Sequence, residues 1–193
     1  MSTGQKPHGA GRSTFEFVDI DRVFQNLSLT PSTVFLDLGC GKGNYALAAA
    51  RSMGPHSIVY GVDAWQEGLE ELKQQADSEG LHNIITIHAN LNEHIPLSDA
   101  AVDVCFMATV LHDLLRESSG ETALAEIVRV LKSGGRLCII EFKKIEDSPG
   151  PPLSVRLSPE ETEAIIAPFG FVKDRIIDVS PFHYLLAASL NIS

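Results

Sequence analysis

Residues 33–43, TVFLDLGCGKG, decide how this chain is read: an apolar, β-branched run leads through Asp37 into a turn with glycine at 39, 41 and 43. A short apolar run closed by glycines predicts a buried strand of a parallel sheet. Alternate glycines let a backbone approach a ligand closely, and the helix predicted to follow offers free N–H groups at its start. Two phosphate-binding patterns fail here. The dinucleotide pattern GxGxxG needs glycine at 44, where Asn44 stands, and the phosphate loop needs glycine at 36 and Ser or Thr at 43, where Leu36 and Gly43 stand. Lys42 is therefore read as a surface residue. An acid two places before GxGxG suits a ligand that carries an amine beside its carboxylate and no phosphate, such as an amino-acid-bearing nucleoside.

Outward from this turn, short apolar runs alternate with longer amphipathic ones. Strands are predicted over 33–38, 57–62, 83–88, 102–107 and 136–142, and helices over 19–27, 45–53, 65–79 and 121–131. Ser133-Gly134-Gly135 reads as a helix stop, and Ser158-Pro159-Glu160-Glu161 as a capped helix start. Strands over 171–179 and 183–190, joined at Ser180-Pro181, should pair antiparallel. The predicted fold class is α/β: a doubly wound, Rossmann-like seven-stranded sheet, mostly parallel, with an antiparallel C-terminal edge strand. A length of 193 residues predicts a single domain over 15–193, preceded by a polar tail or lid over 1–14, with a Pro-rich connection at 145–159.

Charge narrows the partners. The net charge is -10, and its whole surplus lies in 61–130, which carries 3 basic and 13 acidic residues. Neither nucleic acid nor an anionic membrane surface is expected, because both are bound through Lys and Arg. Cys40, Cys105 and Cys138 form no CxxC pair, so no metal site and no disulfide framework is expected. With no apolar stretch of signal-peptide or membrane-spanning length, the expected location is the cytoplasm.

Ligands of such sheets bind outside the carboxyl ends of the strands. Asp63 ends the second predicted strand, 20 residues after Gly43, where a carboxylate can accept two hydrogen bonds from a ribose diol; its alternative role is a cap for the helix near Trp65. His112, after the fourth strand, has the pKa class of a general base, against the alternative of a histidine fixed by a carbonyl or helix end. His8 and His183 have weaker claims. Glu141 and Phe142 end the fifth strand facing the cleft. Cys105 and Cys138 are read as buried hydrophobes.

DLGCGKG at 37–43, GVDA at 61–64, DVCFMATVLHDL at 103–114 and EIVRVLKSGGRLCIIEF at 126–142 resemble the motifs of class I S-adenosylmethionine-dependent methyltransferases. The C-terminal part, with GPPLSVRLSPEE at 150–161, is similar to small members of the branch that includes quinone-biosynthesis C-methyltransferases. The resemblance implies S-adenosylmethionine as cofactor. Asp37, Gly39, Cys40, Gly41 and Gly43 would surround its methionine part, with Asp37 near the ammonium. Asp63 would hold the ribose hydroxyls, Ala64 and Trp65 would lie against the adenine, Asn90 would accept from its amino group where the family usually has an acid, and Leu91 would cover its other face. Ala108 and Thr109 would approach the sulfonium.

The implied activity is methyl transfer to a small-molecule acceptor, giving S-adenosylhomocysteine and needing no metal. Small additions around the sheet favour a modest acceptor or a pocket completed by a second subunit in a homodimer. Two competing readings stay open: a non-catalytic S-adenosylmethionine-binding sensor or scaffold, and a nicotinamide-dependent oxidoreductase, which Asp37 and Asn44 disfavour. A lone Asp113 argues against an aminopropyl transferase.

Overall fold

The computed structural model describes residue 11 and residues 13–191. They build one sheet from β1 Val34–Leu38, β2 Ile58–Asp63, β3 Ile84–His88, β4 Val102–Ala108, β5 Leu131–Phe142, β6 Phe171–Asp178 and β7 His183–Leu190, in the spatial order β3-β2-β1-β4-β5-β7-β6. Strands β1 to β5 run parallel, and β7 is antiparallel to both β5 and β6. This is the doubly wound seven-stranded sheet that the sequence predicts. The antiparallel strand lies one place in from the border, with β6 outermost, where exposed Lys173, Asp174 and Arg175 blunt the free edge.

Among the described residues six α-helices cover the sheet: α1 Ile20–Gln25, α2 Asn44–Met53, α3 Gln66–Ser78, α4 Leu111–Arg116, α5 Gly120–Val130 and α6 Pro159–Ile166. Alternate side chains of the central strands serve opposite faces, as the pleat requires. Phe35, Val104, Phe106 and Ile140 pack with Val23, Ala46 and Leu72 from α1 to α3. Leu36, Cys105, Met107 and Ile139 pack with Leu111, Leu124 and Ile166 from α4 to α6. Burial on both faces explains why β1 and β4 read as near-continuous apolar runs, each with a single aspartate.

Two elements depart from the sequence expectation. β5 begins at Leu131 and not at 136: Leu131 pairs Val102 and Arg136 pairs Val104, so residues 132–135 bulge out of the ladder, with Gly134 in the left-handed region at φ 73. The glycine pair thus marks a bulge inside the strand. α4 has no sequence signature because it is six residues long and Val110 at its start makes no side-chain cap. The α6 start is as expected, a capping box between Ser158 and Glu161 with Pro159 in the first turn.

Candidate active site

The carboxyl ends of β1 and β4 meet at a cleft lined by Gly11, Thr14, Asp37, Gly39, Gly41 and Ala108, among others. α2 starts at Gly43, at φ 74, which has no side chain with which to cap it. Buried Asp37 does so from β1, its Oδ2 accepting the Ala46 N–H at 3.0 Å. A Cβ at Gly43 would lie 2.3 Å from Leu72, so only glycine allows this close seat. Asp37 is 2% exposed. Burial raises its carboxyl pKa, the Ala46 N–H offsets part of that, and the Asp63 charge adds to it, leaving the group at about 7.

Asp63 ties the turn to the neighbouring strand end. Its Oδ2 accepts the Gly41 N–H at 2.7 Å and its Oδ1 the Trp65 N–H at 2.8 Å. Each carboxylate oxygen keeps a further lone pair. Gly41, at φ 55, has nothing within 4 Å of where a Cβ would be, so the turn presents bare backbone to open space. A carboxylate with no cation beside it among the described residues, a second with lone pairs to spare, and bare backbone between them fit the ammonium, the diol and the linking chain of an amino-acid-bearing nucleoside.

The remaining residues of this part are placed as follows. Cys40 turns its sulfur toward Gly61, so it offers the cleft its backbone. Ala64 is exposed, and Trp65 is buried over Gly68. Asn90 is exposed, its Oδ1 accepting the Asn92 N–H at 3.1 Å and its amide donating to Glu93. Leu91 packs against the core. Lys42 is a half-exposed surface residue paired with Glu71 at 2.7 Å. Thr14 Oγ1 meets the Tyr45 hydroxyl at 2.9 Å, and Phe15 sets its edge on the Tyr45 ring, which brings the described part of the N-terminal segment to the cleft rim. Residues 1–10 and 12, His8 among them, lie outside the described residues.

Beside the cleft, a second cluster is built at the ends of β4 and β5 and the start of β7. Thr109 sits at φ 58, a strained conformation for a β-branched residue, held by its N–H to the Ile140 carbonyl at 2.8 Å. That turn delivers His112, 6% exposed, to Glu141, which is fully buried. Glu141 Oε2 lies 2.7 Å from His112 Nδ1, and its Oε1 accepts the His112 backbone N–H at 3.1 Å. Burial lowers the histidine's pKa, but the Glu141 hydrogen bond and charge outweigh it and hold the imidazole above its usual value. A carboxylate at Nδ1 fixes the tautomer, leaving Nε2 as the proton-accepting nitrogen, with the Asp113 carboxylate 3.8 Å away. Contrary to the sequence expectation, Glu141 does not face the cleft but is buried against His112.

Phe142 links this pair to His183, its ring centroid 6.2 Å from that of His112 and 4.4 Å from that of His183. Over Phe142 stands Arg156, buried, its guanidinium donating to the carbonyls of Lys143, Ile145, Ser148, Pro149 and Pro151. The Pro-rich connection is thus wrapped on one arginine. Sequence reasoning singled out Glu141 and His183 without their partners, and passed over Arg156, whose acceptor carbonyls lie 5 to 13 residues upstream of it. Among the described residues, no group of three or more His, Cys, Asp or Glu could hold a metal ion, and no helix is long and apolar enough to cross a membrane.

Comparison with known proteins gives this geometry relatives. Residues 36–139 match the family described as methyltransferase domain. A demethylmenaquinone methyltransferase of Geobacillus stearothermophilus is 30% identical over 119 residues, 62% of this chain and 49% of that protein. A 2-phytyl-1,4-naphtoquinone methyltransferase of Trichormus variabilis is 32% identical over 151 residues, 72% of this chain and 64% of that protein. The chain thus spans about half of the first relative's length and just under two thirds of the second's. A solved S-adenosylmethionine-dependent methyltransferase from Aquifex aeolicus superposes with a TM-score of 0.83 at 30% identity, covering 92% of this chain and 93% of that one.

Proposed function

The chain belongs to the S-adenosylmethionine-dependent methyltransferases, and from that membership we propose that it moves the methyl group of S-adenosylmethionine to a nucleophilic atom of a small-molecule acceptor. The observation that carries this is the pair of carboxylates joined through the glycine turn, Asp37 capping α2 and Asp63 binding the Gly41 N–H. The cofactor supplies a methyl carbon on a positively charged sulfur, given up to a nucleophile in line with the bond that breaks.

The chain's own residues do the rest. Asp37 takes the ammonium, which repays the burial of its charge. Asp63 takes the ribose hydroxyls on its spare lone pairs. Trp65 and Leu91 bracket the adenine, Asn90 accepts from its amino group, and the backbone of Gly39, Cys40, Gly41 and Gly43 lies along the methionine part. Ala108 leaves room near the sulfur. His112 Nε2 takes the proton that the acceptor loses, and Glu141 stabilises the imidazolium that results. Positioning in a water-poor cleft supplies much of the remaining rate.

For the acceptor, the names of the two relatives favour an oxygenated ring of the quinol type, and the His112–Glu141 pair favours an acceptor with a proton to lose. Thermal unfolding with S-adenosylmethionine, S-adenosylhomocysteine and NADH tests the reading. Ligand at 100 times its dissociation constant stabilises by about 2.7 kcal/mol, several degrees for a domain of this size. A shift with the first two ligands and none with NADH is expected; the reverse pattern overturns the assignment. Transfer of labelled methyl to 1,4-dihydroxynaphthalene separates an enzyme from a sensor.

A further inference from the structure

His183 carries a buried polar atom that nothing in the site so far uses. The residue is 3% exposed, and among the described residues its Nε2 has no hydrogen-bond partner. The other nitrogen fixes the tautomer. Ser180 Oγ accepts the N–H of Phe182 at 3.1 Å and of His183 at 3.0 Å, which fills both of its lone pairs. Its own proton must then go to His183 Nδ1, 2.8 Å away. A neutral imidazole that accepts at Nδ1 carries its hydrogen on Nε2. Burial, with the positive charges of Lys143 and Arg156, pushes the ring down to about 4, so it stays neutral at physiological pH.

The two histidines flanking Phe142 therefore hold opposite tautomers. At His112 the glutamate accepts a hydrogen bond from Nδ1–H and leaves Nε2 as a base. At His183 the serine fills Nδ1 and leaves Nε2–H as a donor. A buried donor without an acceptor is unfavourable, and in native proteins it calls for an explanation. We infer that His183 Nε2–H binds an oxygen of the methyl acceptor, so that the acceptor is a flat oxygen compound with a carbonyl or phenolate oxygen on one side and its acidic proton on the other. Such a molecule would lie along Phe142, its oxygen at His183 and its proton at His112. The Phe142 ring packs on that of His183 and Arg156 stands over Phe142, so admission of the acceptor needs movement of these side chains. This rests on the methyltransferase reading and adds the acceptor's chemistry to it.

The test uses the whole chain with ¹⁵N-labelled histidine and 1,4-dihydroxynaphthalene under argon as probe, after saturation with S-adenosylhomocysteine. A wild-type protein that does not bind S-adenosylhomocysteine fails the methyltransferase reading itself, and the inference with it. Where that ligand binds, the expected results are a protonated Nε2 and bare Nδ1 at His183, an Nε2–H resonance that moves when the probe is added, and probe binding at least tenfold weaker in His183→Phe. S-adenosylhomocysteine affinity should stay within twofold in that variant, and His183→Gln, which restores an N–H, should recover part of the probe binding. The opposite tautomer, an unmoved resonance, probe binding in His183→Phe equal to wild type, or no probe binding by a wild type that holds S-adenosylhomocysteine would each overturn it. The resonance readings use wild type alone and hold even if a variant fails to fold.

Discussion

The two halves of the site are held by different means. At the ends of β1 and β2, Asp37 and Asp63 are fixed by main-chain N–H groups of Ala46, Gly41 and Trp65. At the ends of β4, β5 and β7, the functional side chains are fixed by other side chains: His112 by Glu141 and His183 by Ser180. A main-chain cradle survives most changes of side chain and suits a ligand that never varies. A side-chain cradle can be rebuilt by substitution and suits an acceptor that differs between relatives.

The sharpest way to break the contrast is to remove one side chain from each half. His112→Ala should lower methyl transfer by roughly 10²- to 10⁴-fold, the usual worth of a positioned base, and leave S-adenosylhomocysteine binding within twofold by calorimetry. Equal transfer by the variant would end the base role. Glu141→Gln separates chemistry from architecture. Glu141 raises the His112 pKa, so in the variant the acid limb of the kcat/KM profile should move to lower pH while the plateau falls. A loss of rate with an unmoved limb would mean that Glu141 only holds the fold.

In the cofactor half, Asp63→Asn should weaken S-adenosylhomocysteine by about 1.5–3 kcal/mol, roughly tenfold to a hundredfold in Kd, because a charged acceptor becomes a neutral one. Unchanged affinity together with a lower melting point would reduce Asp63 to the tie between turn and helix. Asp37 gives a smaller effect and a definite sign. With its carboxyl near 7, the ligand-free protein is mostly protonated there at pH 5.5 and mostly ionised at pH 7.5, so affinity for an ammonium-bearing ligand should rise about 25-fold across that interval. Stability of the free protein should run the other way. Folded Asp37 holds its proton up to about 7 while the unfolded carboxyl releases it near 3.8, so unfolding free energy falls as pH rises between these values. Asp37→Asn should flatten both dependences.

The contrast also explains what was legible in the sequence. The glycine turn, Asp37, Asp63 and the strands around them could be read because each depends on residues within one β-turn-helix unit, where spacing along the chain is spacing in space. Even there, the capping of α2 by Asp37 escaped notice, because a helix start with no capping side chain of its own gives no local sign of where its cap comes from. His112 and Glu141 are 29 residues apart, and Arg156 closes a loop on carbonyls upstream of it. Only the register that sets Phe142 opposite His183 and Glu141 opposite Tyr184 brings that half together. Residue type marked His112 as a candidate, but the partner that fixes its tautomer depends on strand order. The left-handed Thr109 gave no signal at all, since a β-branched residue is the last to be expected there.

The smallest effect probes the cofactor half where it most resembles something else. Lys42 stands in the glycine turn at the place of a phosphate-loop lysine, yet its ammonium pairs with Glu71 at 2.7 Å and lies 5.8 Å from the centroid of the Trp65 ring. Half-exposed pairs of this kind are worth about 0–1 kcal/mol. Lys42→Met should therefore change S-adenosylhomocysteine affinity by less than threefold and shift the melting point by no more than a few degrees. The ligand expected here brings its own positive charge to Asp37 and has no phosphate for a lysine to neutralise. A loss of a hundredfold or more would mean that the turn binds an anion after all, and the main-chain cradle would then have to be reassigned to a phosphate-bearing nucleotide.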